Sequence, residues 1–430
     1  MSTQTVSRAR PLKGTASVPA DKSVSHRAAL LAALSDGRTT LHGFPRAADP
    51  QSTLSCLRQL GVSIDVEGDT VHIDGVGLHG LQAPSEPVDC GNSGTTMRLL
   101  AGILAGQPFD STLTGDESLR ARPMERIATP LRQMDAAIRL TNGTAPIHIS
   151  GRAEPLHAIT YRLPMASAQV KSCVLLAGLY AEGTTTVVEP VQCRDHTERM
   201  LDLPIEVDDS DVRHIHVTSE DGPVATTWAP LPGDFSSAAF LLVAATLVPE
   251  SEVTIANVGL NPTRTGLLDV LQAMGADLTV TDRTETNGEP MGTITARYAA
   301  LEGITVEGAA IPNLIDEIPV LSVAAACAEG TTVIRDAAEL RVKETDRLEA
   351  IAEVLTRMGV SVSEQEDGLT IVGDANALAG ATVRSFHDHR IAMAAGVAGC
   401  VAEGETTIQN AESARVSFPA FWDVLHRLQG

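Results

Sequence analysis

The chain has 430 residues, of which 43% are hydrophobic, so it is long enough for two or three domains with well-filled cores. Its formal charge of -22 argues against a general nucleic-acid or anionic-membrane surface, because both partners require a basic surface on the protein. The six cysteines form no C-x-x-C pair, and neither an apolar run of about 18 residues nor a secretory signal appears, so we expect reduced thiols in a cytoplasmic protein.

One pattern recurs along the chain: an apolar helical run, a Gly stop, and then a Thr/Val-rich strand. Its copies cover residues 30–44, 99–116, 175–190, 241–258, 323–337 and 395–411. Between most copies, a second helix with apolar residues at three- and four-residue spacing precedes further alternating strands. The last copy is followed by "FPAFWDVLHRL" without strands, so we expect the N-terminal segment "QTVSRARPLKGTASVP" to supply them.

The pattern is interrupted near "TTWAPLPGDFSSAAF" by Pro230, Pro232 and Gly233. The sequence therefore predicts an α/β protein with two domains of three helix-and-strand units each. Residues 1–20 and 234–430 are expected to form one domain, and residues 21–233 the other. A solenoid is the simpler interpretation of such repeats, but a period of roughly 70 residues is long for a solenoid unit.

Basic and hydrogen-bond-donating residues stand where the predicted helices begin. In "DKSVSHRAALLAAL", Lys22 and Arg27 lie at a helix start, where the helix dipole disfavours cations. The turn "DCGNSGTTMRLL" leads into another helix that carries Arg98, and its backbone N–H groups suit an anion. Similar stretches are "RARPMERI" with Arg120, Arg122 and Arg126, "MASAQVKS" with Ser167, Gln169 and Lys171, "QCRDHTERM" with Arg194, "RVKETDRLEAI" with Arg341, Lys343 and Arg347, and "FHDHRIAMAAG" with His389 and Arg390.

Any one of these stretches alone is typical of a salt-bridged surface. Their equivalent positions in successive repeats favour a different interpretation, since folding would bring several helix starts together and create an anion site. Asp316 and Glu317 head the fifth apolar run, where the other copies carry Lys, Ser or Arg, and Glu344 lies between cations. Acids in a cationic site indicate proton transfer. The segment "HDH" at 387–389 is the one candidate for a metal, and we expect none there.

Taken in order, these motifs resemble the 5-enolpyruvylshikimate-3-phosphate synthase family. The resemblance covers almost the whole chain, from "DKSVSHR", "GNSGTTMR" and "RARPMERI" through "SAQVKS", "RDHTERM", "LIDEIP", "RVKETDRL" and "DHRIAMA" to "SFPAFW". It implies the two-domain enolpyruvyl transferase fold, an inside-out α/β barrel with the ligand cleft between domains. It also implies a metal-free reaction without a cofactor, in which the enolpyruvyl group of phosphoenolpyruvate moves to the 5-hydroxyl of shikimate 3-phosphate and phosphate is released.

The resemblance assigns roles to individual residues. Shikimate 3-phosphate would contact Lys22, Ser23, Arg27, Ser167, Gln169, Arg194, Asp316 and Lys343. Phosphoenolpyruvate would contact Lys22, Gly94, Arg122, Gln169, Arg347 and Arg390, and Ala168 and His389 complete the expected binding set. Asp316 is the expected base for the 5-hydroxyl, and Glu344, with Lys22, would protonate and later deprotonate the methylene carbon.

Two positions depart from the common family pattern. Ala168 stands where many members carry Ser, so one hydroxyl contact to the sugar-acid phosphate is absent. Many members also carry a Lys just before the final Phe-Pro, where this chain reads Arg415-Val416-Ser417. Gly94 is present where some glyphosate-insensitive relatives carry Ala, so we predict sensitivity to glyphosate.

Three other functions fit the sequence less well. UDP-N-acetylglucosamine enolpyruvyl transferase shares the fold and phosphoenolpyruvate, but its reactive Cys is absent from "GDESLRARP". A non-catalytic repeat scaffold would not explain Asp316 or Glu344 among cations. An RNA-end-processing enzyme is disfavoured by the acidic composition and by 3% aromatic residues. We therefore expect small-molecule substrates and a monomer, without nucleic-acid or membrane partners.

Overall fold

The computed structural model of the chain describes residues 2–374 and 378–430. The chain forms two compact units. Unit 1 contains Met1–Pro19, Pro232–Thr284 and Pro290–Gly430, and unit 2 contains Ala20–Leu231 and Glu285–Glu289. The sequence predicts that the chain passes from one unit to the other after residues 20 and 233. It does not predict that the short segment 285–289 belongs to unit 2.

Helices and strands alternate along both units. The α-helices are α1 (Lys22–Leu34), α2 (Ala48–Gln59), α3 (Gly94–Leu104), α4 (Glu117–Ala121), α5 (Glu125–Gln133), α6 (Ala168–Gly178), α7 (His196–Leu201), α8 (Phe235–Leu247), α9 (Gly266–Ala273), α10 (Ile311–Leu314), α11 (Ile318–Cys327), α12 (Arg347–Arg357), α13 (His389–Val401) and α14 (Phe421–Arg427). The strands are β1 (Thr3–Ser7), β2 (Lys13–Ala16), β3 (Asp36–Leu41), β4 (Ser63–Glu67), β5 (Thr70–Val76), β6 (Val88–Asp89), β7 (Ser111–Thr114), β8 (Ile138–Thr141), β9 (Thr144–Ile149), β10 (Leu156–His157), β11 (Thr160–Arg162), β12 (Ala181–Glu182), β13 (Thr185–Glu189), β14 (Ile205–Val207), β15 (Arg213–Val217), β16 (Thr227–Trp228), β17 (Glu252–Gly259), β18 (Asp277–Thr286), β19 (Glu289–Arg297), β20 (Thr305–Val306), β21 (Gly330–Ile334), β22 (Ser361–Gln365), β23 (Gly368–Gly373), β24 (Thr382–Arg384) and β25 (Glu405–Gln409).

In unit 2 the helices α1, α3 and α6 form the centre, with α3 in contact with both of the others. They are buried over nearly their whole length because they are apolar on all sides after the first turn. Four-stranded sheets surround them in the orders β16-β3-β5-β4, β6-β7-β9-β8 and β11-β13-β15-β14. The strand β9 shows how a sheet faces the helices, since its residues alternate between half-buried and buried.

Unit 1 repeats this plan with α8, α11 and α13 in mutual contact at its centre. Its sheets have the orders β18-β19-β17-β2, β20-β21-β23-β22 and β1-β25-β24. The N-terminal segment contributes to two of these sheets, because β1 pairs antiparallel with β25 and β2 pairs parallel with β17. The strands that the sixth repeat lacks are thus provided by residues that are distant in sequence. The predicted fold class, with helices inside and sheets outside, is confirmed.

The segment 285–289 is the tip of the hairpin between β18 and β19, and its contacts explain why it belongs to unit 2. Glu289 Oε1 lies 2.8 Å from His196 Nδ1, with both side chains buried. The Asn287 side chain accepts a hydrogen bond from Thr226 Oγ1 at 3.1 Å. These are long-range contacts between side chains, and nothing in the local pattern of the hairpin indicates them.

The helical stretch Gly308–Cys327 is long and apolar enough, by composition, to cross a membrane. In this structure 78% of its most apolar window is buried inside the protein, as expected for a core helix. The cysteines are free, and all except the half-buried Cys327 are buried. Burial raises the pKa of Cys173, Cys327 and Cys400 to about 12, so these thiols are protonated and unreactive at neutral pH.

Candidate functional site

Most of the predicted site residues of unit 2 lie at the beginnings of its central helices α1, α3 and α6. Asp21 caps α1 by accepting a hydrogen bond from the Val24 N–H at 2.9 Å. The Lys22 ammonium lies 3.0 Å from the Asp49 carboxylate, and both side chains are partly exposed. Ser23 is half-buried on the same turn. The first turn of α1 therefore presents a hydroxyl and an ammonium close to the free N–H groups of the helix.

Arg27 is one turn further along α1 and is 4% exposed. Its guanidinium donates to Thr197 Oγ1 at 2.8 Å, to Ser172 Oγ at 2.7 Å and to the Ser23 carbonyl at 3.0 Å. These partners are neutral, and burial lowers the pKa of Arg27 to about 10 even though Glu198 and Asp21 raise it. Arg27 thus connects α1 to α6 and α7 and keeps its positive charge at neutral pH.

Two further guanidinium groups lie beside the start of α3, that of Arg98 within the helix and that of Arg122 directly after α4. Ser93 caps the helix, and Gly94 is its first residue. A Cβ atom on Gly94 would lie 2.9 Å from Arg98 Nη1 and 3.3 Å from Arg122 Nη1, so both arginines surround this glycine. Arg122 donates to Asn92 Oδ1 at 2.7 Å, which is again a neutral partner.

Arg98 is 9% exposed, and its described partners are the Gln169 side-chain oxygen and the Pro123 carbonyl. Burial, reinforced by the charges of Arg126 and Arg122, lowers its pKa to about 10. A buried cation beside further cations is unfavourable unless an anion binds there. The sequence places Arg98 after this turn, and the family resemblance gives it no role in the site, although its guanidinium lies closer to the Gly94 position than that of Arg122.

The start of α6 completes this side of unit 2. Gln169 accepts from Arg98 and donates to Thr95 Oγ1 at 3.0 Å, so it fixes the guanidinium next to Gly94. Ser167 and Ala168 are half-buried beside it. Arg194, also half-buried, immediately precedes the Asp195–α7 segment. Direct contacts thus join α1 with α6 and α7, and α3 with α6.

Lys171, by contrast, has a structural role. Its ammonium is fully buried and contacts the carboxylates of Glu189 and Glu198. Burial alone would lower its pKa, but Glu198, Cys193 and Glu189 together raise it well above its ordinary value. Lys171 therefore stays charged in a buried ion cluster, which is neither the salt-bridged surface nor the ligand-facing cation that the sequence suggests.

In unit 1 the predicted acid Asp316 lies two residues before α11 and is 8% exposed. Its carboxylate lies 3.2 Å from Arg347 Nη1 and 3.6 Å from Arg390 Nη2. Arg390 also donates to the Asp316 carbonyl at 3.0 Å. The structure therefore brings together three residues that are separated by up to 74 positions in sequence.

Arg347 is the centre of this cluster, since each nitrogen of its guanidinium contacts a carboxylate. Nε lies 2.8 Å from Asp388, and Nη2 lies 2.6 Å from Glu344. Burial would lower the pKa of Arg347, but Asp388, Glu344 and Asp316 raise it above its ordinary value. Glu344 has a side chain that is 35% exposed, so it can contact a ligand while it remains paired with Arg347.

The other predicted residues of unit 1 lie nearby in sequence but differ in environment. Lys343 pairs with Glu339 at 2.7 Å. His389 is 3% exposed, and burial lowers its pKa to about 4, so it is neutral at physiological pH. The adjacent Asp388 caps α13. Among the residues that the structure describes, no group of three His, Cys, Asp or Glu side chains is arranged to hold a metal ion.

Sequence reasoning missed several residues at the start of α8. Asp234 caps this helix, and Arg264 donates to Ser236 Oγ at 2.8 Å. Ser236 in turn donates to Glu317, which lies 3.6 Å from Arg390 Nη1. The prolines before the segment "GDFSSAAF" predict a domain boundary, yet its Asp-x-Ser pattern before an apolar run matches that at Asp21 and Ser23. This shared pattern is the signal from which the start of α8 could have been predicted as part of the site.

Comparisons with known proteins agree with this architecture. A family model for EPSP synthase (3-phosphoshikimate 1-carboxyvinyltransferase) matches residues 6–425. A 3-phosphoshikimate 1-carboxyvinyltransferase of Salinibacter ruber is 60% identical over 427 residues, which cover 99% of both chains. One from Synechococcus sp. (strain JA-3-3Ab) is 54% identical, covering 99% of this chain and 96% of that relative.

Among solved structures, an EPSP synthase from Acinetobacter baumannii is similar with a TM-score of 0.89 and 45% identity, covering 99% of this chain and 98% of that chain. The family that the motifs predict is therefore confirmed over almost the full length of the sequence, in preference to the UDP-N-acetylglucosamine enolpyruvyl transferases. The chain belongs to the EPSP synthase (3-phosphoshikimate 1-carboxyvinyltransferase) family.

Proposed function

We propose that this chain transfers the enolpyruvyl group of phosphoenolpyruvate to the 5-hydroxyl of shikimate 3-phosphate and releases phosphate. The observation that carries the proposal is the pair Arg98 and Arg122 beside Gly94, whose described hydrogen-bond partners are neutral. Phosphoenolpyruvate has a phosphate and a carboxylate, which guanidinium groups bind in bidentate geometry. The identity of the acceptor is supported by the names of the relatives.

In unit 2 the proposed binding groups are cations and neutral donors. Lys22, Gly94, Arg122 and Gln169 bind phosphoenolpyruvate, with the N–H groups at the start of α3 directed at the anion. Shikimate 3-phosphate is bound by Lys22, Ser23, Arg27, Ser167, Ala168, Gln169 and Arg194. A charge-assisted hydrogen bond contributes about 1.5–3 kcal/mol, so several such contacts are needed to offset the desolvation of a phosphate.

In unit 1 the proposed groups combine binding with acid-base chemistry. Lys343 and His389 bind shikimate 3-phosphate, and Arg347 and Arg390 bind phosphoenolpyruvate. Asp316 accepts the proton of the 5-hydroxyl as its oxygen forms a bond to C2 of phosphoenolpyruvate, while Glu344, with Lys22, donates a proton to C3. The C2–O bond to phosphate then breaks and phosphate leaves. Glu344 removes a proton from C3, which re-forms the double bond between C2 and C3 and gives the enol ether product.

The charge environment of Asp316 fits its proposed role as a base. Two guanidinium groups next to its carboxylate favour the ionised form. Glu344 contacts the guanidinium of Arg347 and is more exposed, which suits a group that exchanges its proton twice in each turnover.

We also propose that the protein is a cytoplasmic monomer without nucleic-acid or membrane partners.

The test is phosphate release from phosphoenolpyruvate in the presence of a chelator, with shikimate 3-phosphate in one reaction and UDP-N-acetylglucosamine in another. We expect release with shikimate 3-phosphate alone. Release with the nucleotide sugar alone, or no release with either acceptor, would overturn the proposed function.

A further inference from the structure

Four buried side chains form a continuous hydrogen-bonded chain behind the proposed phosphoenolpyruvate subsite. His26 of α1, Thr53 of α2, and Ser93 and Thr96 at the start of α3 all have no solvent exposure. His26 Nδ1 lies 2.7 Å from Thr53 Oγ1, and Thr53 Oγ1 lies 2.7 Å from Thr96 Oγ1. Thr96 Oγ1 donates to Ser93 Oγ at 2.8 Å. We call these four residues the relay.

The direction of the hydrogen bonds follows from the state of His26. Burial lowers the pKa of His26 to about 3, so the ring is neutral and has a single N–H. No hydrogen-bond partner is described for Nε2. Because unpaired N–H groups are rare in protein interiors, we assign the proton to Nδ1, where it is donated to Thr53. Each hydroxyl then donates to the next group, and the chain ends at Ser93.

Ser93 is thereby fixed in one position. Its Oγ accepts from the Thr96 hydroxyl and also from the Thr96 backbone N–H at 3.2 Å. Ser93 is the capping residue of α3 and immediately precedes Gly94, around which Arg98 and Arg122 are placed. The relay therefore reaches the first turn of α3 through the residue that caps this helix.

The relay also connects this turn to α1. His26 follows Lys22 and Ser23 by one turn and precedes Arg27 directly. A shift of α3 relative to α1 would stretch these buried hydrogen bonds, including the longer contact of 3.5 Å between Thr96 Oγ1 and His26 Nδ1, and an unsatisfied buried group costs about 1–3 kcal/mol. Two sets of anion-binding groups are thus held at a fixed separation before a ligand binds.

We propose that His26, Thr53 and Thr96 are positioning residues that fix the Ser93-Gly94 turn for phosphoenolpyruvate. This inference rests on the proposed function, and it adds residues that have no contact with substrate. They act through Ser93 and the first N–H groups of α3. The relay should therefore affect phosphoenolpyruvate more than shikimate 3-phosphate.

The experiment measures KM for each substrate, kcat and the melting temperature in the full-length protein and its variants. Thr96→Val and His26→Leu remove one hydrogen-bonding group each with little change in volume. His26→Asn retains a side-chain N–H that can reach Thr53. Thr246→Val is the matched control, because this buried hydroxyl donates to the Leu242 carbonyl at 2.9 Å within α8.

We expect Thr96→Val and His26→Leu to raise KM for phosphoenolpyruvate by roughly five- to fifty-fold, with KM for shikimate 3-phosphate changed by less than about twofold. In the double variant, KM for phosphoenolpyruvate should rise by much less than the product of the two single increases, because both substitutions break the same chain of hydrogen bonds. His26→Asn should restore most of the affinity, and Thr246→Val should lower the melting temperature without changing either KM.

Two results would overturn the proposal. If the parent protein is active but the relay variants raise both KM values equally, or change neither, the relay has only a structural role. If the parent releases no phosphate with shikimate 3-phosphate, the proposed function fails and the assignment of this subsite fails with it.

Discussion

The arginines near the predicted site residues differ in their partners between the two units. In unit 2, Arg27, Arg98 and Arg122 contact hydroxyl, amide and carbonyl groups. In unit 1, Arg347 contacts the carboxylates of three acids, Asp316, Glu344 and Asp388. The first arrangement leaves positive charge for a ligand to neutralise. The second is already paired with acids, and this teaches that an anion bound by Arg347 or Arg390 would share these cations with carboxylates of the protein itself.

The largest effect on the reaction rate is expected from changing Asp316, one of the three acids that contact Arg347. Asp316→Asn should lower kcat by about 10²–10⁴, because it removes the proposed proton acceptor. The variant should fold, since Arg347 keeps Glu344 and Asp388. Glu364→Gln is the matched control, because it removes a carboxylate from Arg341, which keeps Asp346. Steady-state rates at saturating substrate provide the measurement, and equal rates for Asp316→Asn and the parent would exclude Asp316 as the base.

A smaller effect is expected from crowding the cationic turn of unit 2. A methyl group at position 94 would lie 2.9 Å from Arg98 Nη1, so Gly94→Ala must displace a guanidinium. We predict that the parent is inhibited by glyphosate, and that Gly94→Ala raises the inhibition constant by more than about tenfold while also raising KM for phosphoenolpyruvate. Inhibition that is the same in both proteins would show that Gly94 does not border the bound inhibitor.

One buried histidine in each unit, His26 and His389, should make stability depend on pH in the same direction. The pKa values of His26 and His389 are lowered to about 3 and about 4, whereas an unfolded histidine titrates near 6.5. Between these values the unfolded chain binds more protons, so their contribution to stability is complete above about pH 6.5 and is lost as the pH falls. Each histidine should account for about 2 kcal/mol between pH 7.5 and 5.

Denaturant unfolding of the parent and of His26→Asn at both pH values measures this loss. Between the two pH values, the unfolding free energy of the variant should decrease less than that of the parent, and the difference is the contribution of His26. A decrease that is identical in the two proteins would mean that His26 is not buried in its neutral form.

Much of this comparison could be predicted from the sequence, because helix starts are local features. The apolar runs that follow Lys22, Gly94 and Ser167 predict buried helices, and capping residues with adjacent cations indicate anion sites. The family resemblance was carried by the same short motifs. The roles of the predicted site residues stay predictions until the variants are measured.

What the sequence did not reveal depends on long-range contacts. The threefold pairing of Arg347, and the contact of Gln169 with Arg98, join residues from different repeats. The partners of Lys171 are likewise set by tertiary packing, and no spacing rule distinguishes this buried lysine from Lys22. The strand β1 could be assigned to the last repeat because a strand was missing there, whereas the segment 285–289 left no such gap in the pattern.

The most direct test of the difference between the units is one substitution made in each of them. Arg98→Met and Arg347→Met remove a buried guanidinium while they retain a long side chain, and we would measure the unfolding free energy and KM for phosphoenolpyruvate in both. Arg347→Met should lose about 3–5 kcal/mol, because it leaves buried carboxylates without their cation. Arg98→Met should change stability by less than about 1 kcal/mol and raise KM at least about tenfold, since it relieves repulsion among arginines and removes a ligand contact. Equal losses of stability in the two variants would contradict the conclusion that the cations of unit 2 await an anion.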